Sequence, residues 1–342
     1  MKKIAILTLN GNNNFGNKLQ NYALTTYLKK KKLNVETLWF ARKNYFIKEL
    51  VKSIIPFKKD LKRQIVFKRF NKKFLNIKYV NKKSETIEYD YYITGSDQVW
   101  NYTMAEPISD YLLSFVDNKK RISYSASFGI DNIPDYLKDK YSTELKKFKG
   151  LSVREDKGEQ IAKELTGRKD IEVLIDPTML LSSTEWDKVA QKPKKNVPKK
   201  YILNYFLGNL SESRQKEIEK IAKENECEVI NILDKNDPFY LSGPSEFLYL
   251  EKNAFLICTD SFHSSVFAIL YDRPFVVFDR EDKVEKMNSR IDTLLNKFRL
   301  ENRKYNDKEI TKENLEHDYT NAYKILEKER KKSEEFFNKN LD

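Results

Sequence analysis

The chain repeats one pattern along its length: a short run of β-branched and aromatic residues, a turn of small polar residues, then a stretch with helical spacing. Such alternation leaves few folds open. A strand followed by a helix returns to the same end of its sheet, so successive strands lie parallel and the helices cover the faces. In the first half this predicts strands at 3–9, 35–40, 91–94, 122–125, 150–153 and 172–175, with helices at 17–31, 134–148 and 155–165. The Pro- and Lys-rich stretch 191–200, QKPKKNVPKK, interrupts the pattern and reads as an interdomain linker or an exposed loop. Beyond it come strands at 201–206, 228–233, 254–259 and 274–278, and helices at 212–226, 245–251, 264–271 and 289–298. A charged tail follows from Asp307, with Leu315, Tyr319, Tyr323 and Leu326 at helical spacing. The expected architecture is α/β, two Rossmann-like lobes facing a cleft. The lobes span 1–190 and 198–305, and the tail 306–342 packs back on the first. Ligands of such sheets sit at the carboxyl ends of the strands, so the turns after strands are where chemistry is expected.

A length of 342 residues suits two domains. Cys227 and Cys258 are the only cysteines, which rules out a disulfide framework or a cysteine-rich zinc site. His263 and His317 are the only histidines, so no metal is expected either. No apolar run reaches the length of a membrane-spanning helix. The opening MKKIAILTLNGNNN has too short an apolar stretch, with no cleavage site after it, and reads as a buried strand rather than a signal peptide. A cytoplasmic protein is expected.

The net charge of +13 has one source. Between Arg42 and Lys83 stand fifteen Lys/Arg against Glu49 and Asp60, a balance of +13; the remainder holds 49 basic and 49 acidic residues. Phe46, Ile47, Leu50, Val51, Ile54 and Ile55, then Phe57, Leu61, Ile65, Phe67, Phe70 and Phe74, recur among the lysines. A basic helical insertion over about 42–85 has two open readings. It is a peripheral dock for an anionic membrane at the inner face of the plasma membrane, or a solvated insertion. No nucleic-acid motif accompanies the charge, so no specific nucleic acid is expected.

Four turns carry candidate chemistry. The first, Asn10-Gly11-Asn12-Asn13-Asn14-Phe15-Gly16-Asn17, leads into a helix and offers backbone N–H groups to an anion or a sugar, with Asn14, Asn17 and Gln20 as contacts. It lacks the glycine spacing that specifies a nucleotide. The second is Thr94-Gly95-Ser96-Asp97-Gln98-Val99-Trp100. Asp97 is read equally as a carboxylate that takes or orients a hydroxyl proton, with Gln98 beside it, and as a helix cap. The third, Ser152-Val153-Arg154-Glu155, sets an arginine where it can clamp an anion, or pair on the surface with Glu155 or Asp156. Asp176-Pro177-Thr178 repeats the strand-end pattern and reads as a cap and turn. The fourth, Cys258-Thr259-Asp260-Ser261-Phe262-His263-Ser264-Ser265, gathers Asp260, Ser261, His263, Ser264 and Ser265 where a strand gives way to a helix. A histidine there can act as a base or as a donor held in one tautomer.

In order and spacing these stretches resemble the polysaccharide pyruvyl transferase family. The resemblance runs from the Asn/Gly loop through Gly95–Asn101, Ser125-Ala126-Ser127-Phe128-Gly129, Ser152–Glu155 and Asp176–Thr178 to Pro274-Phe275. It implies a GT-B-like pair of lobes and transfer of a pyruvyl group from phosphoenolpyruvate to a sugar, giving a ketal and phosphate. The donor is a substrate; no cofactor is implied. By the same resemblance Arg154 matches the family arginine that holds the donor, and His263 the family's histidine in the second lobe. Asp260, Ser261, Ser264 and Ser265 are expected beside them as donor contacts, His263 and Asp97 as the catalytic residues, His263 as acid/base and Asp97 toward the acceptor, which is a sugar or lipid-linked oligosaccharide of the cell surface. One position departs: the family's Arg-x-His reads Ser261-Phe262-His263 here. That keeps two alternatives open, a nucleotide-sugar glycosyltransferase and a non-catalytic glycan-binding or scaffold protein of envelope assembly.

Overall fold

The computed structural model describes residues 1–40, 59–80, 88–104, 107–281 and 289–341. The chain divides into two units, Met1–Leu180 with Glu329–Asp342, and Leu181–Lys328.

The first unit is wound on a seven-stranded sheet. Its elements are β1 Lys3–Leu7, α1 Phe15–Lys30, β2 Asn34–Phe40, α2 Lys59–Phe74, β3 Ile77–Val80, β4 Tyr91–Thr94, α3 Ile108–Tyr111, β5 Arg121–Ala126, α4 Asp135–Leu145, β6 Gly150–Val153, α5 Asp156–Thr166 and β7 Glu172–Val173. All neighbouring strands pair in parallel. Ile4, Ala5, Ile6 and Leu7 are all buried, as expected for a strand covered on both faces. The order β3-β2-β1-β4-β5-β6-β7 is the Rossmann order with one strand added. Winding reverses between β1 and β4, so the turns after these two strands flank the switch point.

Two local details differ from expectation. Strand β3 was not foreseen; it is an edge strand with an exposed Tyr79 and lacks a continuous apolar signal. Strand β5 is irregular, with a register shift between Ser123 and Ala126 and a left-handed Ser125 (φ 50°).

The second unit has a four-stranded parallel sheet in the order β11-β10-β8-β9. It contains α6 Ser183–Asp187, β8 Tyr201–Tyr205, α7 Glu212–Glu224, β9 Glu228–Asn231, α8 Pro244–Asn253, β10 Leu256–Thr259, α9 Phe262–Leu270, β11 Phe275–Val277, α10 Ser289–Phe298, α11 Lys312–Leu315 and the start of α12 Thr320–Asn340. Its switch point lies between β8 and β10. The stretch 191–200, read as a linker or an exposed loop, is a loop that belongs wholly to this unit: the Gln191 N–H donates to the Ser245 carbonyl at 2.9 Å. Trp186 of α6 packs edge-on against Phe267. The changeover falls earlier, at Leu180 and Leu181, both buried and apolar, where composition carries no boundary signal.

The last residues of α12 join the first unit. Phe337 stacks on Tyr124 at 4.5 Å and lies against Tyr27, while Tyr124 Oη donates to Ser333 Oγ at 3.0 Å. A Cβ at Gly150 would stand 2.5 Å from Asn340 Oδ1, so a side chain at the start of β6 would displace the Asn340 amide.

Of the basic segment, 41–58 and 81–87 lie outside the described residues, and with them Phe46, Ile47, Leu50, Val51, Ile54, Ile55 and Phe57. The described helix α2 does not offer its aromatic face to a lipid surface. Phe67 stacks on Phe15 of α1, and Phe70 and Phe74 meet Tyr22 edge-on. What α2 exposes is mainly charge, Lys59, Lys62, Lys68, Arg69, Lys72 and Lys73, with Ile65 the one exposed apolar side chain of its described residues. Among the described residues no helix is long and apolar enough to cross a membrane.

Burial of Phe337 between two tyrosines predicts that Phe337→Ala costs about 3–5 kcal/mol of stability. Urea unfolding measures this, and a loss under about 1 kcal/mol would show that the α12 contact is not part of the first unit's core.

Candidate functional site

At the first unit's switch point the expected turns join one buried polar network. Asn14 caps α1, its side chain accepting the Asn17 N–H at 3.2 Å. Gln20 Nε2 donates to Thr8 Oγ1 (2.7 Å) and to the Asn17 carbonyl (3.1 Å), and Thr8 Oγ1 donates to the Ser96 carbonyl (2.9 Å). The Asn10 side chain accepts from Asn21 Nδ2, and its carbonyl accepts from Lys18 Nζ at 2.9 Å. Lys18 is fully buried, and the loss of hydration pulls its pKa down to about 7.

Ser96 leads into the charged centre of this network. Ser96 Oγ donates to Asp176 Oδ2 at 2.6 Å, and Arg154 Nη1 donates to the same oxygen at 2.9 Å. The other oxygen, Oδ1, accepts the Thr178 N–H (2.9 Å) and hydroxyl (2.7 Å). Arg154 Nη2 lies 3.8 Å from Asp97 Oδ1. Arg154 is only 3% exposed, so it is not the surface pair that sequence allowed, and Asp176 does more than cap a turn. Asp97, Gln98 and Arg154 are thus brought together, with the Asn loop linked through Thr8.

Asp97 is no helix cap. It has φ 76°, no regular helix follows it, and its Oδ1 accepts the N–H of Gln98 at 2.9 Å. Left-handed backbone is costly for a residue with a side chain, and it persists only where the surroundings enforce it. Here the Asp97 carbonyl accepts from Val99 N and Ser127 N, and Asp97 bridges to Ala126. Trp100 is buried against Phe128 and Phe148, and its carbonyl accepts from Tyr141 Oη. Gln98 Oε1 accepts from Asn101, and a Cβ at Gly129 (φ 63°) would fall 2.1 Å from that oxygen. Glu155 locks the opposing loop: its Oε1 accepts from Ser127 Oγ, Phe128 N and Gly129 N.

The second unit's switch point is organised by Asp260. Its two oxygens accept the N–H groups of Leu207 and Gly208, each at 2.7 Å, and Oδ2 pairs with Arg280 Nε at 3.3 Å. Ser261 is the N-cap residue of α9 but makes no side-chain cap bond; its N–H donates to Thr259 Oγ1. Because α9 begins at Phe262, two residues ahead of expectation, His263 lies in its first turn, 7% exposed and edge-on to Phe262.

Ser264 and Ser265 face inward rather than toward a ligand. Ser265 Oγ donates to the Ser261 carbonyl at 3.1 Å, and Ser264 Oγ to Glu251 Oε1 at 2.5 Å. Asp260 ties three strand ends together. Among the described residues no cluster of His, Cys, Asp and Glu is placed to hold a metal.

A profile of the polysaccharide pyruvyl transferase family matches residues 14–282, most of the chain and all of both networks from Asn14 onward. The chain belongs to the polysaccharide pyruvyl transferase family. Membership makes it a transferase. No curated protein matches its sequence significantly. Among solved structures it is similar to the UDP-GlcNAc 2-epimerase of Neisseria meningitidis bound to UDP-GlcNAc, at 10% identity, with 97% of this chain and 94% of that chain covered and a TM-score of 0.46. For a putative UDP-N-acetylglucosamine 2-epimerase from Listeria monocytogenes the values are 11%, 98%, 91% and 0.49. For the glycosyltransferase SnogD from Streptomyces nogalater they are 10%, 98%, 96% and 0.41. These distant likenesses are silent on substrate and activity.

Sequence reasoning missed three residues of these two networks. Lys18 stands inside a quoted motif with nothing to mark it as buried. Arg280 follows a strand expected to end at 278 and so fell outside every turn considered. Glu251 occupies an ordinary helical position, yet it is fully buried beneath the first turn of α9. Burial pushes the Glu251 carboxyl well above the usual carboxylate range, against the smaller lowering effect of the Ser264 hydrogen bond.

Glu251 therefore stays protonated in the folded chain at pH values where the unfolded chain has released the proton. Its contribution to stability is fully present below pH 4.5, the ordinary value, and is lost as pH rises. The loss is about 1.4 kcal/mol per pH unit until the raised folded-state pKa is reached. Glu251→Gln removes this term, so its stability relative to the parent should improve as pH rises from 5 toward 7.5 in urea unfolding. A constant difference across that range would show that the carboxyl ionises normally.

Proposed function

We propose that the chain transfers the pyruvyl group of phosphoenolpyruvate to two hydroxyls of a sugar in a cell-surface polysaccharide or its lipid-linked precursor. The observation that carries this reading is that, within the family's own span, each switch point holds buried titratable side chains, Asp97 among them in the first unit and His263 in the second. Ketal formation makes two C–O bonds at C2 of the enolpyruvyl group, adds a proton at C3 and breaks the bond to phosphate. Of the two hydroxyl protons released, one ends on the new methyl group and the other on the departing phosphate. Such a reaction needs one group that donates a proton to carbon or phosphate and one that receives a proton from, or orients, a hydroxyl. His263 acts as the acid/base and Asp97 meets the acceptor hydroxyl, with Gln98 and Asn17 as neighbouring polar contacts. Arg154 supplies a fixed positive charge beside Asp97.

Phosphate release from phosphoenolpyruvate in the presence of polysaccharide acceptors tests the reading. His263→Ala and Asp97→Asn should each lower kcat by about 10²–10⁴-fold with the fold intact. Wild-type protein that turns over a nucleotide sugar but releases no phosphate from phosphoenolpyruvate would overturn the donor assignment. Glycan binding with no turnover, unchanged by His263→Ala, would point to a scaffold.

The charged face of α2 supports work at an anionic membrane by electrostatic attraction without insertion. Binding to phosphatidylserine vesicles should fall on changing Lys62, Lys68 and Lys72 to Gln and should weaken with salt. Binding of equal strength in high salt would contradict this mode.

A further inference from the structure

Phosphoenolpyruvate presents a carboxylate and a phosphate, and a site that holds it needs cations with hydrogen-bonding edges to offer. Arg154 is poorly placed to be the sole one. Its side chain is 1% exposed, it shares Asp176 Oδ2 with Ser96, and Asp97 stands on its other side. The second unit holds an arginine in a different state.

Arg280 follows β11, whose continuation is still tied to β10 by the Phe278 N–H donating to the Thr259 carbonyl at 2.8 Å. The residues on either side of Arg280 are both clamped. Asp279 pairs with Lys304 at 3.1 Å; Glu281 pairs with Arg214 at 3.2 Å and accepts the Ser211 N–H at 2.7 Å. Arg280 itself is steered by Asp260, the carboxylate that also holds the Leu207 and Gly208 amides. The ends of β8, β10 and β11 therefore converge on one carboxylate, three residues before His263 in the chain.

Two features set Arg280 apart from a structural ion pair. The contact with Asp260 uses Nε, and among the described residues the Nη groups make no further hydrogen bond or ion pair. The side chain is also 21% exposed, against 2% for its partner. A guanidinium presents its donors as a planar fork, and an arginine held through Nε keeps the Nη edge for a second oxyanion in bidentate geometry. The negative charge of Asp260 is meanwhile shared with two backbone N–H groups.

We propose that Arg280 is the anion anchor of the second unit, gripping the phosphate or carboxylate of the donor at the switch point where His263 begins α9. Asp260 is its positioning residue. The assignment rests on the donor reading given above, but it concerns a small oxyanion and is tested separately from transfer.

Calorimetric titration of wild type, Arg280→Gln and Arg280→Lys with phosphoenolpyruvate and with inorganic phosphate decides it. Loss of a charged bidentate contact should weaken both ligands roughly 10- to 100-fold in Arg280→Gln. Arg280→Lys should recover part of the affinity, because it keeps the charge but not the fork. In turnover the KM for donor should rise more than kcat falls. The melting temperature of Arg280→Gln should stay close to wild type, since Asp279 and Glu281 still hold the segment. If Arg280→Gln does not fold, a loss of both ligands in folded Arg280→Lys serves as the readout. Equal affinity of wild type and both variants for both ligands overturns the assignment, and so does wild-type protein that binds neither. Wild-type binding of phosphate but not phosphoenolpyruvate, lost in Arg280→Gln, keeps Arg280 as the anchor and overturns the donor reading alone.

Discussion

The first unit depends on the ion pair between Arg154 and Asp176. Both side chains are almost completely out of water. Removing two charges from water costs several kcal/mol per ion, and their attraction offsets this only when the remaining donors and acceptors are also engaged. Asp176 meets that condition through Thr178 and Ser96, so the pair draws the ends of β4 and β6 and the segment after β7 onto one carboxylate. The left-handed turn at Asp97 persists beside it because Val99, Ser127 and the Trp100 packing leave the backbone no alternative.

The second unit applies the same device with a different outcome. Asp260, like Asp176, engages an arginine and donors from two further residues, and it too sits beside a point where winding reverses. The difference is burial. The arginine of the first unit is enclosed and serves rigidity; that of the second keeps part of its surface in solvent. A carboxylate that gathers loop donors is a direct way to make strand ends rigid in a parallel sheet, where each loop would otherwise be held only at its base.

Much of this was legible in the sequence, for reasons that differ by element. Strands β4 and β6 were found at their observed limits because each is a short run without charge that ends at a turn of polar residues, and α10 because its spacing is strongly amphipathic. Strand β3 escaped because an edge strand alternates weakly, and the boundary at Leu180 because buried leucines look the same inside a domain and between two. The four turns were located correctly as strand ends. What local spacing does not encode is which way a polar side chain faces. Ser264 and Ser265 look like ligand groups in sequence, yet one is bonded to a buried carboxyl and the other to its own helix. Arg154 met its partner Asp176 only through the fold.

Lys18 has a consequence of a different kind. An amine whose pKa falls from 10.5 to about 7 on burial subtracts from stability as pH drops through that interval, and below it the subtraction is complete. The amine nevertheless donates to the Asn10 carbonyl and lies over the Trp39 ring, so the loop after β1 is tied to a group that gives up its proton far more readily than a lysine in water.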